Sequence, residues 1–408
     1  MISRFLKSIA GGSSQHPVNI ECSNKLPSSV HAVESNDDLL SEILLHLPVI
    51  SVLLYKTVSK RWYSIITNPD FSLRHHSQNP KSDPASGLYI KQPGSSSAYD
   101  FVPLDIRIPP SNVIFRCDLE VVIIQSCNGL FLCRGTYKYH NDYNYYMYNP
   151  TTNVFKKLPP CPINDGIMRM AYDPIRSPHY KMVYATRRDN NNVFGLTIQI
   201  YTYSSETGIW SDCSHRYWSK SSYFSLICVY GIYWSNAIHS VDGLNHEKLC
   251  LEDLAITSVQ LPGKQCFRKL FESRGCLLLV CLFHIGVIKM LNVYEMSNVL
   301  ENLVENFVCI FFLHNVHSEW SIKYIVHLDE AMRLFPEIGV YPYTLVSTSV
   351  RCIVLGKREE DSFMVIDLNG EVMQYKMMSN TLRKLPYFKS VNYLYPRSFQ
   401  FIASFAGV

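Results

Sequence analysis

From Ser35 to His76 apolar residues recur at a helical period; beyond Gly87 they recur every second residue, and this change divides the chain. Leu39, Leu40, Ile43, Leu44 and Leu47 form one apolar stripe. Ser35, three residues before Asp38, is the expected cap, with Asp37, Asp38 and Glu42 near the positive end of the helix dipole. Pro48 stops this helix, and a second apolar run covers Ile50 to Tyr55. A third helix starts at the cap Ser59, carries Trp62, Ile65 and Ile66, and ends at Asn68-Pro69. Three short helices in about 40 residues bury too little apolar surface to stand alone. They form either a lid on the following domain or a module whose core is completed by docking on a partner's helical surface.

The remainder reads as a large all-β domain. Short strands are expected at Val121–Gln125, Leu130–Arg134, Lys181–Thr186, Thr197–Tyr203, Ile232–Trp234, Leu249–Asp253, Leu277–Phe283, Ile288–Tyr294, Ser321–Val326, Cys352–Leu355, Phe363–Asp367 and Val372–Lys376. Turn signals separate them: Cys127-Asn128-Gly129, Glu206-Thr207-Gly208, Asp242-Gly243 and Asn369-Gly370. Helix is expected only at 296–306 and Asp329–Leu334. A degenerate unit repeats: an apolar strand, a polar turn, then a strand ending in Leu-Pro or Trp. It runs from Tyr148 to Leu158-Pro159, Tyr203 to Trp210, Leu254 to Leu261-Pro262 and Met377 to Leu385-Pro386, with a degraded copy at Val293–Ser297. The spacing suits four-stranded propeller blades, with a non-repeating sandwich as the alternative. A propeller must pair its ends, so 398–405, apolar at 399, 401, 403 and 405, is expected to pack near 87–105 and close the ring.

Leu39-Leu40-x-x-Ile43-Leu44-x-x-Leu47-Pro48, then Val58-Ser59-Lys60-x-Trp62, then Pro69-x-Phe71, resembles an F-box. The β region is similar to the F-box-associated, kelch-like domain of plant F-box proteins, through Ser126-Cys127-Asn128-Gly129-Leu130, Tyr148-Asn149-Pro150-Thr151-Thr152, Gly231-Ile232-Tyr233-Trp234, Glu272-Ser273-Arg274-Gly275 and Asn292-Val293-Tyr294-Glu295-Met296. The resemblance implies a non-catalytic receptor subunit of a Skp–cullin–F-box ubiquitin ligase. Leu39, Leu40, Ile43, Leu44, Leu47, Pro48, Val52, Leu53, Val58 and Trp62 would meet a Skp-type adaptor, and through it a cullin scaffold, while the β domain holds a target protein. The chain departs from the family pattern at Ser35 and Asn36, where Leu-Pro is usual, and at Ile50 and Leu54, where Lys and Arg are usual.

The expected organisation is a tail at 1–34, which is rich in Gly, Ser, Asn and Pro, with a weak targeting peptide as the other reading of its first ten residues. The F-box follows at 35–76, a polar linker at 77–86 and the propeller-like domain at 87–408. Charged residues make up 18% of the chain and net charge is +4, with Lys and Arg in no run longer than three, so no concentrated basic face points to nucleic acid. The longest apolar run, Cys276 to Ile288, contains His284 and is too short to cross a membrane. Thirteen Cys without a Cys-x-x-Cys read as free thiols of a reducing compartment, cytoplasmic or nuclear, rather than zinc ligands. No metal or cofactor is implied.

No Gly-x-Ser-x-Gly, P-loop or His-Glu-x-x-His occurs. Cys127 is the best nucleophile look-alike, but Asn128-Gly129 is the better hairpin turn. His75-His76 reads as a solvated helix end, His314 and His317 as loop residues, and Glu359-Glu360-Asp361 as a hairpin tip. The Tyr-rich stretch 137–148 is either a blade insertion or an aromatic contact patch, making Tyr143, Tyr145 and Tyr146 candidates for target binding. A sugar- or ligand-binding propeller, or a propeller enzyme with a helical lid, is the alternative. It would show paired carboxylates at a deep axial pocket.

Overall fold

The computed structural model describes residues 36–78, 85–92, 98–104, 120–135, 144–163, 166–189, 196–213, 217–219, 231–242, 244–261, 267–285, 288–296, 320–327, 348–368, 371–385 and 398–408. Two compact units divide the chain at Leu45. In the first, the described residues form helix α1 (Asp37–Leu45). The second, from His46 on, carries α2 (Val49–Tyr55), α3 (Lys60–Thr67) and α4 (Pro69–Gln78) and then a six-bladed β-propeller.

The blades are antiparallel meanders. The first contains Val121–Cys127, Leu130–Gly135, Tyr145–Asn149 and Val154–Lys157; the second Gly166–Ala171, Lys181–Asp189, Leu196–Ser204 and Ile209–Asp212, with Tyr217–Ser219 also paired to its third strand. The third contains Ile232–Trp234, Ala237–Asp242, Asn245–Cys250 and Ile256–Gln260; the fourth Phe267–Ser273, Cys276–Ile285, Ile288–Met296 and Trp320–His327; the fifth Thr348–Val354, Phe363–Leu368, Glu371–Lys376 and Thr381–Lys384. The first strand of each sheet touches the first strand of the next, and this inner circle is completed by Ser398–Phe401. That strand pairs Gly87↔Phe401 through Ile90↔Ser398 with Gly87–Lys91, which pairs in turn with Tyr99–Pro103. The expected closure is therefore present, and Phe399 and Phe401 are buried.

Local chemistry accounts for the meanders. Strands such as Val121–Cys127 alternate buried and half-buried residues, as two-sided packing between blades demands. Asn128-Gly129, Ser235-Asn236 and Arg274-Gly275 hold consecutive positive φ values, the geometry of two-residue hairpins between first and second strands. The sequence repeat is the hairpin between third and fourth strands. In it, Tyr148 Oη donates to Asn153 Oδ1 (3.1 Å) and Tyr375 Oη to Asn380 Oδ1 (2.8 Å), with both Asn residues left-handed. The Leu of each Leu-Pro is buried: Leu158, Leu261 and Leu385 donate backbone N–H to Tyr145, Leu244 and Val372 carbonyls. Outermost strands end in exposed Lys156-Lys157 and Arg383-Lys384, charges that discourage edge-to-edge pairing.

Some expectations need correction. The strand expected at Leu249–Asp253 is Asn245–Cys250; residues 251–253 turn, because Leu254 adopts φ +56° and redirects the chain. A fourth helix follows the third. Asn68 Oδ1 accepts from Asp70 N (2.9 Å), and Pro69 stands at a first helical position, where a missing N–H costs nothing. The helices expected at 296–306 and Asp329–Leu334, beyond Met296 itself in a strand, lie outside the described residues, as do Ser35, Asn369-Gly370, His314 and His317.

A pair of buried imidazoles sits in the third blade. His239 Nε2 lies 3.1 Å from the Trp234 carbonyl and Nδ1 lies 2.9 Å from His246 Nε2. The carbonyl only accepts, so Nε2 of a neutral His239 carries the proton and Nδ1 accepts from His246. Burial first, then nearby positive charge, holds both rings below the ordinary histidine range. The folded state therefore keeps them neutral while the unfolded chain takes up protons below about pH 6.5. Stability is full above that pH and is lost as pH falls, by roughly 2 kcal/mol per ring at pH 5. The urea midpoint is expected to drop between pH 7 and pH 5, and to drop less in His246→Gln, whose amide still donates to His239. A chain ending at residue 396 lacks the closing strand and is expected to melt more than 10 °C lower, read by calorimetry.

Candidate docking surface

Helix α1 starts at Asn36, whose Oδ1 accepts from the N–H groups of Asp38 (2.9 Å) and Leu39 (3.2 Å). A position that departs from the family pattern thus supplies the cap expected of Ser35. Leu40, Leu44 and Leu45 are buried, whereas Leu39 and Ile43, four residues apart, are 46% and 50% exposed.

The second unit offers its own apolar surface. In α2, Val49 and Val52 are buried, Leu53 is half-buried and Leu54 is 68% exposed. The Ile50 side chain lies outside the described residues. Ser59 caps α3 as expected, its Oγ accepting from Trp62 N (3.2 Å). The half-buried Trp62 ring meets Tyr55 edge-on at 5.3 Å. Leu47 is half-buried; Pro48, Val58 and Tyr63 are exposed. The expected adaptor set therefore divides. Leu40, Leu44 and Val52 are core residues of this chain; Leu39, Ile43, Pro48 and Val58 face solvent. Leu54, noted above only as a departure from the family pattern, and Tyr63 are also exposed apolar positions, because exposure is set by tertiary packing rather than by spacing.

Helices α2 to α4 are built onto the propeller. Val49 and Leu53 join the cluster of Tyr89, Phe131, Phe399 and Phe401. His75, expected to be solvated, is buried: its Nε2 lies 2.8 Å from the Leu47 carbonyl and its ring faces Phe405. The correction follows from α4, which turns His75 inward beside Phe71, one helical turn away. The chain beyond Phe401 runs along the first blade. Asn149, fully buried, donates from Nδ2 to the carbonyls of Ser404 (3.1 Å) and Ala406 (2.8 Å), while its Oδ1 accepts from Thr151 and Thr152. Gly129 is left-handed, and a Cβ there would stand 2.2 Å from Ser404 Cβ.

The catalytic look-alikes serve structure. Cys127 is buried, its Sγ donating to the Tyr172 carbonyl (3.4 Å), and burial holds the thiol well above the usual range, against thiolate formation. Asp173 and Glu272 interact electrostatically, yet each closes its own turn: Asp173 Oδ1 accepts from Ile175 N (3.0 Å) and Glu272 Oε1 from Gly275 N (2.8 Å). Desolvation pushes the half-buried Glu272 carboxyl upward, with Asp173 adding to the shift. Among the described residues no cluster of three His, Cys, Asp or Glu is arranged for a metal, Cys127, Cys161, Cys250, Cys276 and Cys352 are free thiols, and no helix is long and apolar enough to cross a membrane. Glu359-Glu360-Asp361 is an exposed 3-10 turn, Asp361 paired with Arg358. Tyr145 is buried in the core and Tyr146 is half-buried, so neither forms the exposed aromatic patch considered above; Tyr143 lies outside the described residues.

Residues 36–74 match the F-box domain. An F-box protein of Arabidopsis thaliana is 32% identical over 418 residues, spanning 93% of this chain and 94% of that one. An F-box/kelch-repeat protein of the same plant is 25% identical over 60% of this chain and 71% of its own length. Among solved structures, a functionally unknown protein from Desulfotomaculum acetoxidans DSM 771 is similar at 12% identity and TM-score 0.39, over 76% of this chain and 86% of that one.

The division of α1 into packed and open faces is testable. Leu44→Ala is expected to cost about 3 kcal/mol of local stability, speeding amide exchange of residues 41–45 roughly a hundredfold. Ile43→Ala is expected to change it by less than threefold.

Proposed function

This chain belongs to the F-box proteins, and from that membership we propose that it is the substrate-receptor subunit of a Skp–cullin–F-box ubiquitin ligase. The observation that carries the reading is the pair Leu39 and Ile43, exposed on a capped helix inside the matched F-box, in a chain whose remainder is a closed propeller. Large apolar side chains held open on a short helix lose area to water unless a partner covers them. A Skp-type adaptor is that partner. Leu39, Ile43, Pro48 and Val58 make direct contact, joined by the half-exposed Leu47, Leu53 and Trp62. Leu40, Leu44 and Val52 are buried and stay out of that contact. Leu54, where the family usually carries a basic residue, adds apolar area in place of charge. The cullin is reached through the adaptor.

The propeller holds the target protein. Helices α2 to α4 meet the propeller at the end where the tight Asn128-Gly129 and Asn149–Thr152 turns lie. Target binding is assigned to the opposite ends of the sheets. The subunit lowers no chemical barrier; it raises the local concentration of target beside a ubiquitin-loaded enzyme.

Leu39→Asp with Ile43→Asp is expected to abolish co-purification with a recombinant Skp-type adaptor while leaving the propeller's melting temperature within about 2 °C, as befits exposed positions. Undiminished adaptor recovery would overturn the assignment.

A further inference from the structure

We propose that Phe405 is a positioning residue that fixes α2 to α4 on the propeller, so that adaptor and target are held at one set orientation. The consequence for ubiquitin transfer rests on the receptor reading above; the anchoring itself does not.

The residues around Phe405 divide its surroundings in two. Ser404 and Ala406 belong to the propeller. Their carbonyls accept from the buried Asn149 amide, and Ser404 N donates to Thr151 Oγ1 (3.0 Å). Ala406 N donates to Ser404 Oγ (3.0 Å), and the left-handed Gly129 leaves Ser404 its space. The backbone is thus tied to the first blade on either side of position 405. The Phe405 side chain serves the helices. Its ring meets Phe71 edge-on at 6.0 Å and His75 at 5.4 Å, both on α4, and Lys56 Nζ, just past α2, lies 5.7 Å from its centroid. Ser72 Oγ donates to the Phe405 carbonyl (3.3 Å).

This makes one residue a bolt between two structures. Phe71 and His75 are each about 3% exposed, so their shared contact with Phe405 is desolvated, where aromatic pairs contribute beyond area alone. The adaptor-facing residues Val58, Leu54 and Tyr63 are exposed and are not among these contacts. Anchoring and adaptor binding therefore use different surfaces and are separable by substitution.

In the full-length chain, Phe405→Ala is expected to speed amide exchange of residues 71–78 at least tenfold while exchange in 398–401 and 121–127 stays unchanged. Adaptor affinity is expected to stay within twofold. In a reconstituted ligase reaction without target, the lysines modified on the receptor itself are expected to spread to positions the wild-type chain leaves unmodified, a change that weaker folding alone does not produce. His75→Asn, which keeps a donor for the Leu47 carbonyl but removes a ring facing Phe405, is expected to act in the same direction and decides the matter if Phe405→Ala fails to fold. Unchanged exchange of residues 71–78 in the folded variants overturns the anchor. An unchanged modification pattern with faster exchange overturns the positioning role. If neither wild type nor variants bind adaptor, the receptor reading falls while the exchange result still judges the anchor.

Discussion

The antiparallel pairing of Ser398–Phe401 with Gly87–Lys91 is the constraint on which the rest depends. Without it the inner circle of strands has a gap, and two sheet edges present unpaired backbone groups to water. With it, Phe399 and Phe401 enter a core shared with Tyr89, Phe131 and Tyr148, and the same core receives Val49 from the helical segment. Ring closure and helix attachment are therefore consecutive acts of one stretch of chain: four residues complete the circle, and the next four reach Phe71 and His75. A motif that reads as a plain hairpin turn, Tyr-Asn-Pro-Thr-Thr, becomes intelligible here. Asn149 is buried because it satisfies backbone groups of two segments at once, its own turn and residues 404–406.

Much of this was legible in the residues, for identifiable reasons. Strand positions follow from period-two alternation, and Ile232–Trp234 was located to the residue because glycine and a left-handed Ser-Asn turn bound it. The propeller architecture follows from a repeat whose turns need Asn or Gly at one left-handed position, as at Asn153, Gly208 and Asn380, but the blade count does not, because the closing sheet carries no copy of that repeat. What escaped were features set by packing between distant segments. Asn36 Oδ1 accepts from the N–H groups of Asp38 and Leu39, and nothing local in the sequence ranks Asn36 above Ser35 as the cap. The burial of His75 depends on Phe405, more than three hundred residues away in sequence. Leu254 takes a left-handed conformation that its neighbours in the repeat give to Asn or Gly, and the expected strand boundary slipped there.

The docking surface was half legible. Spacing identifies which residues of α1 share a face, but it does not separate Leu39 and Ile43, which stay open, from Leu40 and Leu44, which close. The receptor reading gains from this partition. In that reading the exposed Leu39 and Ile43 meet the partner, while Leu40 and Leu44 are already buried within the chain.

The central claim is that the open apolar face of this chain binds a Skp-type adaptor directly. Light scattering coupled to size exclusion, on an equimolar mixture of the full-length chain and recombinant adaptor, tests it with no other component present. The account predicts one species whose mass is the sum of one chain and one adaptor. Two species eluting at their separate masses, at concentrations well above micromolar, would contradict it.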